Sequence, residues 1–526
     1  MKPSARSELM THLLSGMTAV AATLWAMRGA AADNVVDTDA ARHAMNGAFI
    51  LDLVRHSRFL APVDYAKWYF ARYPAITIPY HPPGFPSYEA IFFAFFGVKV
   101  FAARFAVALS VGAVAFLLLY LVRMTHGSFV LGLCAVICFL SLPVSMVVAS
   151  DVMLEFPAMV PAIASICFLY LMVATQRWAY ALAFAALGAV GIWTKQTVFL
   201  ILMPFLYIIL LRRWNLLRSS QVWTSVALLC GAGLSLAALG WSVGWSGISE
   251  NWRRKTLAEQ LHDNFFFYLR WLRSPLITIP VGALLTAKVV HYFSSFLRPT
   301  TVERKIKLGA DALYVAWIAA VLLILMAVPA SDDRYLFFAY PAVLVVALSV
   351  STRITAWLAP ALRYAPAAIG TAWMAASGLF AAPPFLSGPA QAAAYVFENH
   401  ARRVLYCGLT DGNFMFSLRT LDQNLNDSVV PCYKIPEGER RPDALPNFAR
   451  RINADYLIVE HANRPQPWDG QLTDSNLSLE KVIPQDGSQR RYKGNLCIYH
   501  VSGNTDPPEY ELEVPISAFG RSLKPE

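Results

Sequence analysis

Residues 100–122 read VFAARFAVALSVGAVAFLLLYLV, an apolar run long enough to cross a membrane as a single helix. Similar runs recur up to about residue 382, and none follows Pro383. Only 15% of the 526 residues are charged, whereas a soluble domain has about a quarter. We therefore predict a polytopic α-helical membrane domain over residues 1–382 and a soluble α/β domain over residues 383–526. The pattern predicts about eleven transmembrane helices, at 10–30, 100–122, 128–148, 156–175, 178–194, 197–211, 222–243, 275–297, 310–329, 336–352 and 357–382.

The distribution of positive charge predicts how these spans are oriented. The net charge of +10 comes from Lys and Arg in short loops between apolar runs. That pattern argues against a nucleic-acid-binding patch. With a cytoplasmic N-terminus, nearly every cytoplasmic loop carries Lys or Arg, as the positive-inside rule requires. This orientation predicts an inner-membrane protein whose first loop, residues 31–99, and C-terminal domain lie on the periplasmic side. The basic residues 252–255 are an exception, in a longer outer loop.

Two features of the chain leave alternatives open. Residues 2–33 combine early positive charge, a short apolar stretch and a small-residue site, which also fits a cleaved signal peptide. Both interpretations put the first loop outside. In the C-terminal domain, residues 404–408 and 454–460 are predicted strands, with helices at 414–421 and 445–452. We expect a disulfide there, preferably Cys407–Cys432 with Cys497 left unpaired, although spacing alone does not fix the pairing.

The first loop opens with a polar stripe. A helix is expected from about residue 38 to 58, which puts Asp39, Arg42 and His43 on one face. A purely structural interpretation makes Asp37 the N-cap and Asp39 an acid favoured by the helix dipole. A functional interpretation makes this stripe one wall of a site.

Two further segments carry ionisable groups at predicted outer boundaries. His81 lies in IPYHPPGFP, residues 78–86, where prolines stiffen the backbone and exclude a helix. Asp151 and Glu155, at the start of the fourth span, are spaced i and i+4 and would share one helix face. An N-cap would explain one of these acids but not both.

Cations also occur on the predicted outer side, against the orientation bias. Lys195 follows the fifth span, and Arg334 and Tyr335 follow the ninth. Snorkelling to lipid headgroups would explain either segment. Ionisable groups at membrane depth nevertheless favour a functional site. Acids and bases on one face predict a cleft at the membrane boundary that can bind an anionic phosphate.

The order of these motifs resembles the GT-C glycosyltransferases. It is most similar to the bacterial group that includes aminoarabinose transferases and protein mannosyltransferases, over roughly residues 10–382. The group's Asp-Glu-x-Arg-Tyr-Ala motif corresponds to residues 39–44, and its Lys/His-Pro-Pro segment to 81–83. Its second acidic motif corresponds to 151–157, and its Thr-Lys-Gly motif to 194–196. Its late Arg-Tyr-x-x-x-x-Pro motif is represented by Arg334, Tyr335 and the segment ending at Pro341. The sequence departs from the pattern at Ala40, His43 and Gln196.

The resemblance implies a function that the residues alone do not specify. Such an enzyme moves a sugar from a polyprenyl-phosphate donor to a lipid, glycan or protein acceptor outside the cytoplasm, with inversion. Asp39 would be the general base, while Asp151 and Glu155 would orient the acceptor or bind a metal. Metal use is left open, with Asp39 and Asp151 as candidate ligands of Mg²⁺ or Mn²⁺. With Asp37 and His43 as further first-loop candidates, the donor phosphate would be bound by Arg42, His81, Lys195, Arg334 and Tyr335.

Two rival functions fit a protein with many spans. A transporter or flippase would predict internal repeats and charges near the bilayer midplane, whereas the candidate residues here lie at span ends. A non-catalytic membrane scaffold would bind a partner through its C-terminal domain. The scaffold hypothesis requires Asp39 to be dispensable.

Overall fold

The fold is described from a computed structural model. It covers residues 5–28, 35–78, 80–242, 256–272, 282–290, 309–328, 332–351, 355, 359–425, 431–433, 435, 437–463, 466–469, 472 and 474–502. The basic segment 252–255 and most of the predicted span 275–297 lie outside these residues.

Helices dominate the first three quarters of the chain. In chain order they are α1 (Ala5–Ala26), α2 (Thr38–Arg55), α3 (Pro62–Arg72), α4 (Gly84–Phe96), α5 (Val100–His126), α6 (Phe129–Leu140), α7 (Pro143–Ala149), α8 (Glu155–Thr175), α9 (Trp178–Lys195), α10 (Met203–Leu210), α11 (Ser220–Ser242), α12 (Leu257–Leu272), α13 (Asp311–Ala327), α14 (Tyr340–Ser349), α15 (Ala365–Met374), α16 (Pro389–Glu398), α17 (Asp411–Leu421) and α18 (Leu445–Arg451). Short 3₁₀ turns, among them Val198–Ile201 and Asp333–Phe338, connect several of them.

Four described helices are long and apolar enough to cross a membrane. These spans are Leu9–Ala26, Val100–His126, Glu155–Thr175 and Ser220–Trp241. A fifth would be α6 with α7, which are bent by 76° at Ser141 and Leu142. Other predicted spans are interrupted: 197–211 divides into a 3₁₀ turn and α10, because Pro204 starts a new helix. The number of spans therefore does not follow from apolar runs alone.

The C-terminal part forms a six-stranded sheet. Its strands are β1 (Leu386–Ser387), β2 (Val404–Cys407), β3 (Cys432–Tyr433), β4 (Tyr456–Ala462), β5 (Leu477–Gly487) and β6 (Gly494–Val501). Their order across the sheet is β1-β5-β6-β4-β2-β3, with β2 parallel to β3 and β4 and the other pairs antiparallel. Both predicted strands, β2 and β4, are present, and the predicted helices correspond to α17 and α18.

The expected disulfide is wrong, and the strand register explains why. Cys432 pairs with Val404, three residues before Cys407. That offset is roughly 10 Å along a strand, whereas a disulfide needs Cα atoms within about 7 Å. Val459 of β4 pairs with Cys407 of β2 on one side and with Cys497 of β6 on the other, so a whole strand separates these two cysteines. All three thiols are free.

One apolar core joins the helical body to the sheet. Alternation in β2 turns Val404 and Tyr406 toward the core that also contains Trp317 of α13. Leu405 and Cys407 face the opposite side, where they pack with α18. The C-terminal part therefore shares its larger core with the membrane helices and has only a smaller core of its own.

The first loop is largely helical, and it binds the C-terminal part directly. Arg419 of α17 donates to both carboxylate oxygens of Asp52 in α2, at 2.8 Å, and both side chains are fully buried. Tyr69 of α3 donates to the same carboxylate at 3.0 Å. Gln423 makes two hydrogen bonds with the backbone of Val98, ahead of α5. The sequence predicted α2 but missed α3 and α4.

Candidate functional site

The N-terminus of α2 places an acid between two arginines. Asp37 is the N-cap, and its carboxylate accepts a hydrogen bond from the amide of Asp39 at 2.9 Å. Arg42, one turn later, has Nη1 3.8 Å from the Asp39 carboxylate. Arg334 reaches the other Asp39 oxygen from the 3₁₀ turn after α13, at 3.4 Å. About 30% of each of these three side chains is exposed, so the cluster is open to a ligand.

A residue that the sequence analysis did not assign holds Arg334 in place. Asp332 accepts from the Arg334 backbone amide at 2.9 Å and from its guanidinium at 3.0 Å. Burial by itself would lower the pKa of Arg334, but its hydrogen bonds to Asp332 and the charges of Glu155 and Asp39 raise that pKa. Arg334 is therefore a fixed cation. The sequence feature that could have identified Asp332 is its position two residues before Arg334, which is the spacing of an Asx turn.

Lys195 ends α9 and forms an ion pair with Glu155, the first residue of α8. Glu155 is fully buried, whereas 19% of the Lys195 side chain is exposed, and its Nζ lies 6.0 Å from the ring centre of Tyr335. The C-cap of α9 is Gln196, with a φ of +48°. A left-handed residue after the helix suits glycine best, so Gln196 takes this conformation at some cost in energy. The helix end that carries Lys195 is thereby preserved.

His81 and His43 form an edge-to-face pair beside Asp39. Their ring centres are 4.3 Å apart, and Tyr80 packs on His81 at 4.7 Å. Burial lowers the pKa of His81 to about 3, with the Asp39 charge only partly opposing it. The pKa of His43 is also far below its usual range because of burial and the His81, Lys195 and Arg334 charges. Burial thus disfavours the charged form of the His81 ring, which the sequence analysis expected to bind the phosphate as a cation.

Gly84 brings the His81 segment against the end of α9. A side-chain carbon at this position would lie 2.6 Å from the carbonyl oxygen of Trp193 and 2.9 Å from the Thr194 hydroxyl. Only glycine allows α4 to begin so close to another backbone. This contact places the stiff residues 81–83 beside Lys195, although the two motifs are more than a hundred residues apart.

Asp151 does not share a helix face with Glu155, which corrects the prediction from spacing. The helix α8 begins only at Glu155, and Asp151 lies in the preceding turn. Its buried carboxylate accepts from the backbone amides of Val36 and Asp37, the latter at 2.7 Å. Burial raises the pKa of Asp151 to about 6, although Arg104 and the amides of Asp37 and Val152 favour the charged form. Asp151 therefore anchors the strand-like entry to α2.

The residues present do not fit the divalent metal that the resemblance left open. Both oxygens of Asp39 face guanidinium groups, and those of Asp151 are directed at backbone amides. Across the part of the chain that the structure describes, no three His, Cys, Asp or Glu side chains converge as metal ligands.

The cluster around Asp39 combines a carboxylate with several cations, which suits it to proton transfer and to binding negative charge. An ionised carboxylate with exposed surface can accept a proton, and fixed cations around it can stabilise negative charge that forms nearby. Arg42, Lys195 and Arg334 come from three separate parts of the chain and meet at one end of the helical body. The structure brings the predicted site residues together around Asp39, and Asp151 contacts this cluster through the backbone of Asp37.

Comparison with known proteins supports the resemblance seen in the motifs. Residues 80–241, less than half of the chain, match the family of dolichyl-phosphate-mannose-protein mannosyltransferases. The crystal structure of ArnT from Cupriavidus metallidurans bound to undecaprenyl phosphate superposes with a TM-score of 0.58 at 14% identity, covering 96% of this chain and 100% of that one. Its apo form gives 0.59 at 14% identity, with coverages of 95% and 99%. No curated protein matches the sequence. The chain thus has the ArnT fold, and the predicted resemblance to this group of GT-C enzymes is confirmed.

Proposed function

We propose that this chain, built on the ArnT fold, is an inverting glycosyltransferase that uses a polyprenyl-phosphate sugar. The observation that carries the proposal is the position of Asp39, between Arg42 and Arg334, with the Asp39 and Lys195 charges both acting on His81. A base and several cations at the end of an apolar helical body suit a donor with a charged phosphate and a long lipid tail. The ArnT structure that contains undecaprenyl phosphate has the same fold.

In the proposed reaction the Asp39 carboxylate removes a proton from an acceptor hydroxyl or amine. The freed electron pair forms a bond to the anomeric carbon of the donor sugar. The bond between that carbon and the phosphate oxygen breaks, and its electrons leave with the polyprenyl phosphate. Attack and departure on opposite faces invert the anomeric centre.

The surrounding cations stabilise the leaving phosphate. Arg334 is held by Asp332, and Lys195 by Glu155, so neither side chain needs to be ordered when the donor binds. Arg42 adds a third charge from α2. His81, being neutral, contributes a hydrogen bond rather than a charge, and Tyr335 packs beside Lys195. Glu155 is therefore proposed to position Lys195 rather than to bind the acceptor.

We further propose that the site lies on the periplasmic side of the inner membrane. The support is the positive-inside bias of the alternate loops together with the meeting of the first loop, Lys195 and Arg334 at one end of the bundle. Cysteine labelling of intact cells at an exposed position such as Leu60 tests this orientation. Labelling that required permeabilised membranes would place the site in the cytoplasm instead.

The test of function is donor consumption by the purified full chain. Detergent-solubilised protein is incubated with a panel of undecaprenyl-phosphate sugars and an envelope extract as acceptor source, and release of undecaprenyl phosphate is measured. We expect one donor to be consumed by the wild type and not by the Asp39→Asn variant. Equal consumption by the two proteins, or none with any donor, would refute the proposal.

A further inference from the structure

Residues 35–37, which lead into α2, are each held by a residue of the C-terminal part. Asn413 of α17 donates to the Val35 carbonyl at 2.6 Å, and both groups are buried. Val36 packs in a small apolar cluster with Tyr492 and Leu386, and all three side chains are almost fully buried. Arg491 lies 3.8 Å from the Asp37 carboxylate.

On its other side, the same segment is held by the membrane body. The Asp151 carboxylate accepts from the amides of Val36 and Asp37. Val36 and Asp37 are thus fixed from both sides, and Val35 from the side of the C-terminal part. Because Asp37 caps α2 through the amide of Asp39, any movement of this segment is passed directly to Asp39.

We propose that the 3₁₀ turn Arg490–Tyr492 of the C-terminal part positions the catalytic acid, with Arg491 and Tyr492 as the positioning residues. This inference rests on the proposed function of Asp39. It assigns the C-terminal part a positioning role, in which it fixes the first turn of α2.

The charges that face Asp37 show why Arg491 matters. They are Asp39 in α2, Arg334, Arg491 and the carboxylate of Asp151. Burial raises the pKa of Asp37, whereas the amide of Asp39 and the charges of Arg334 and Arg491 lower it. Removing Arg491 therefore raises the pKa of Asp37 further, so the charged cap is lost at a higher pH.

The experiment compares Arg491→Ala with Arg490→Ala in the full chain. Both arginines are exposed in the same turn, but only Arg491 contacts Asp37. For Arg491→Ala we expect faster hydrogen–deuterium exchange at the amides of residues 39–42. We also expect kcat to fall about two- to fivefold, the size expected for a partly exposed ion pair, with an unchanged KM for the donor. The acid limb of the kcat profile should move to higher pH.

Controls separate positioning from a general loss of stability. Arg491→Lys should restore wild-type behaviour, and Arg490→Ala should not differ from the wild type in any of these measurements. Exchange at 39–42 that is the same in Arg491→Ala and the wild type would overturn the inference, whatever the activity. If Arg491→Ala exchanged faster at these amides while the wild-type protein itself had no transferase activity, the positioning role would be supported and the proposed function refuted.

Discussion

At the scale of single residues, Asp39 is the side chain whose loss should reduce transfer most. Asp39→Asn keeps the size of the side chain and removes the charge, while Arg334 keeps its contacts with Asp332. General base catalysis is typically worth about 10²–10⁴-fold, so the transfer rate should fall at least a hundredfold. Single-turnover transfer measures this effect, with the thermal unfolding temperature as a check on folding.

Asp37→Asn is the matched control for that variant. Asparagine caps a helix about as well as aspartate, so the change removes the attraction of the Asp37 charge to Arg491 and Arg334 but keeps the cap. We expect a decrease of no more than a few fold. The base would have to be reassigned to Asp37 if this variant were inactive while Asp39→Asn remained near normal.

His81 provides a second prediction at this scale. With a pKa of about 3, its ring is uncharged throughout the physiological range, because a base is deprotonated above its pKa. His81→Gln should therefore change the affinity for undecaprenyl phosphate by less than about threefold at pH 7, an effect well under 1 kcal/mol. Arg334→Gln removes a charge and should weaken binding by roughly 1.5–3 kcal/mol, about tenfold or more.

Calorimetric titration with undecaprenyl phosphate between pH 5.5 and 8 distinguishes these cases. The pH dependence of affinity for His81→Gln should match that of the wild type. If His81→Gln bound much more weakly than the wild type, and only at low pH, the His81 ring would have to become charged when the phosphate binds.

At the scale of elements, the close approach of α4 and α9 should be sensitive to one methyl group. Gly84→Ala would force a carbon to 2.6 Å from the Trp193 carbonyl, a backbone atom that cannot rotate away. We expect a loss of roughly 1–3 kcal/mol in unfolding free energy, typical of overpacking. Transfer should also fall, since residues 81–83 must move away from Lys195.

Gly231→Ala is the control for this prediction. Gly231 lies within α11, and a side-chain carbon there would meet no atom within 4 Å. This change should leave both stability and transfer near the wild-type level. If the two variants behaved alike in thermal unfolding and transfer assays, the contact at Gly84 would not position the site.

Local pattern predicted some elements and failed for others, for physical reasons. The polar stripe of α2 and the apolar runs of β2 and β4 are patterns formed by neighbouring residues, so these three elements could be predicted from the sequence. The start of α4 depends on a contact with Trp193, which no local pattern records. Similarly, the i, i+4 spacing of Asp151 and Glu155 suggested a shared face, but the amides that bind Asp151 come from residues 36 and 37.

At the scale of the whole molecule, the buried pair of Arg419 and Asp52 joins the C-terminal part to the first loop. Removing one partner leaves a buried charge without compensation, which typically costs about 3–5 kcal/mol. Arg419→Met should therefore destabilise the protein by this amount, and the double variant with Asp52→Leu should recover most of it. Denaturant unfolding followed by tryptophan fluorescence measures both.

An exposed ion pair in the same part of the chain is the reference. Arg441 and Asp443 are 3.5 Å apart, with more than 60% of each side chain exposed. Arg441→Ala should change stability by less than about 1 kcal/mol. A similar small effect of Arg419→Met would mean that the two parts of the chain are held together mainly by their shared apolar core.

The sequence predicted the candidate cations and the acid at this scale, but not their supporting partners. Motif order placed Asp39, Lys195 and Arg334 on one side of the membrane, and the structure brings them together. Nothing in the order of residues linked position 52 to 419, or 37 to 491. Such pairings depend on how distant segments pack, so neither composition nor local sequence pattern predicts which carboxylate will lie near which arginine.

The pairing of Asp52 with Arg419 also has a consequence for how the protein is made. The two residues are separated by 367 positions, so a ribosome delivers the first long before the second. The first loop therefore remains without its partner while most of the helical body is being made. Pairing of Asp52 with Arg419 is thereby a late event of biogenesis, completed only after α17 has been made. A chain cut short before position 419 would lack the partner of Asp52, so we expect its first loop to be held less firmly against the rest of the molecule.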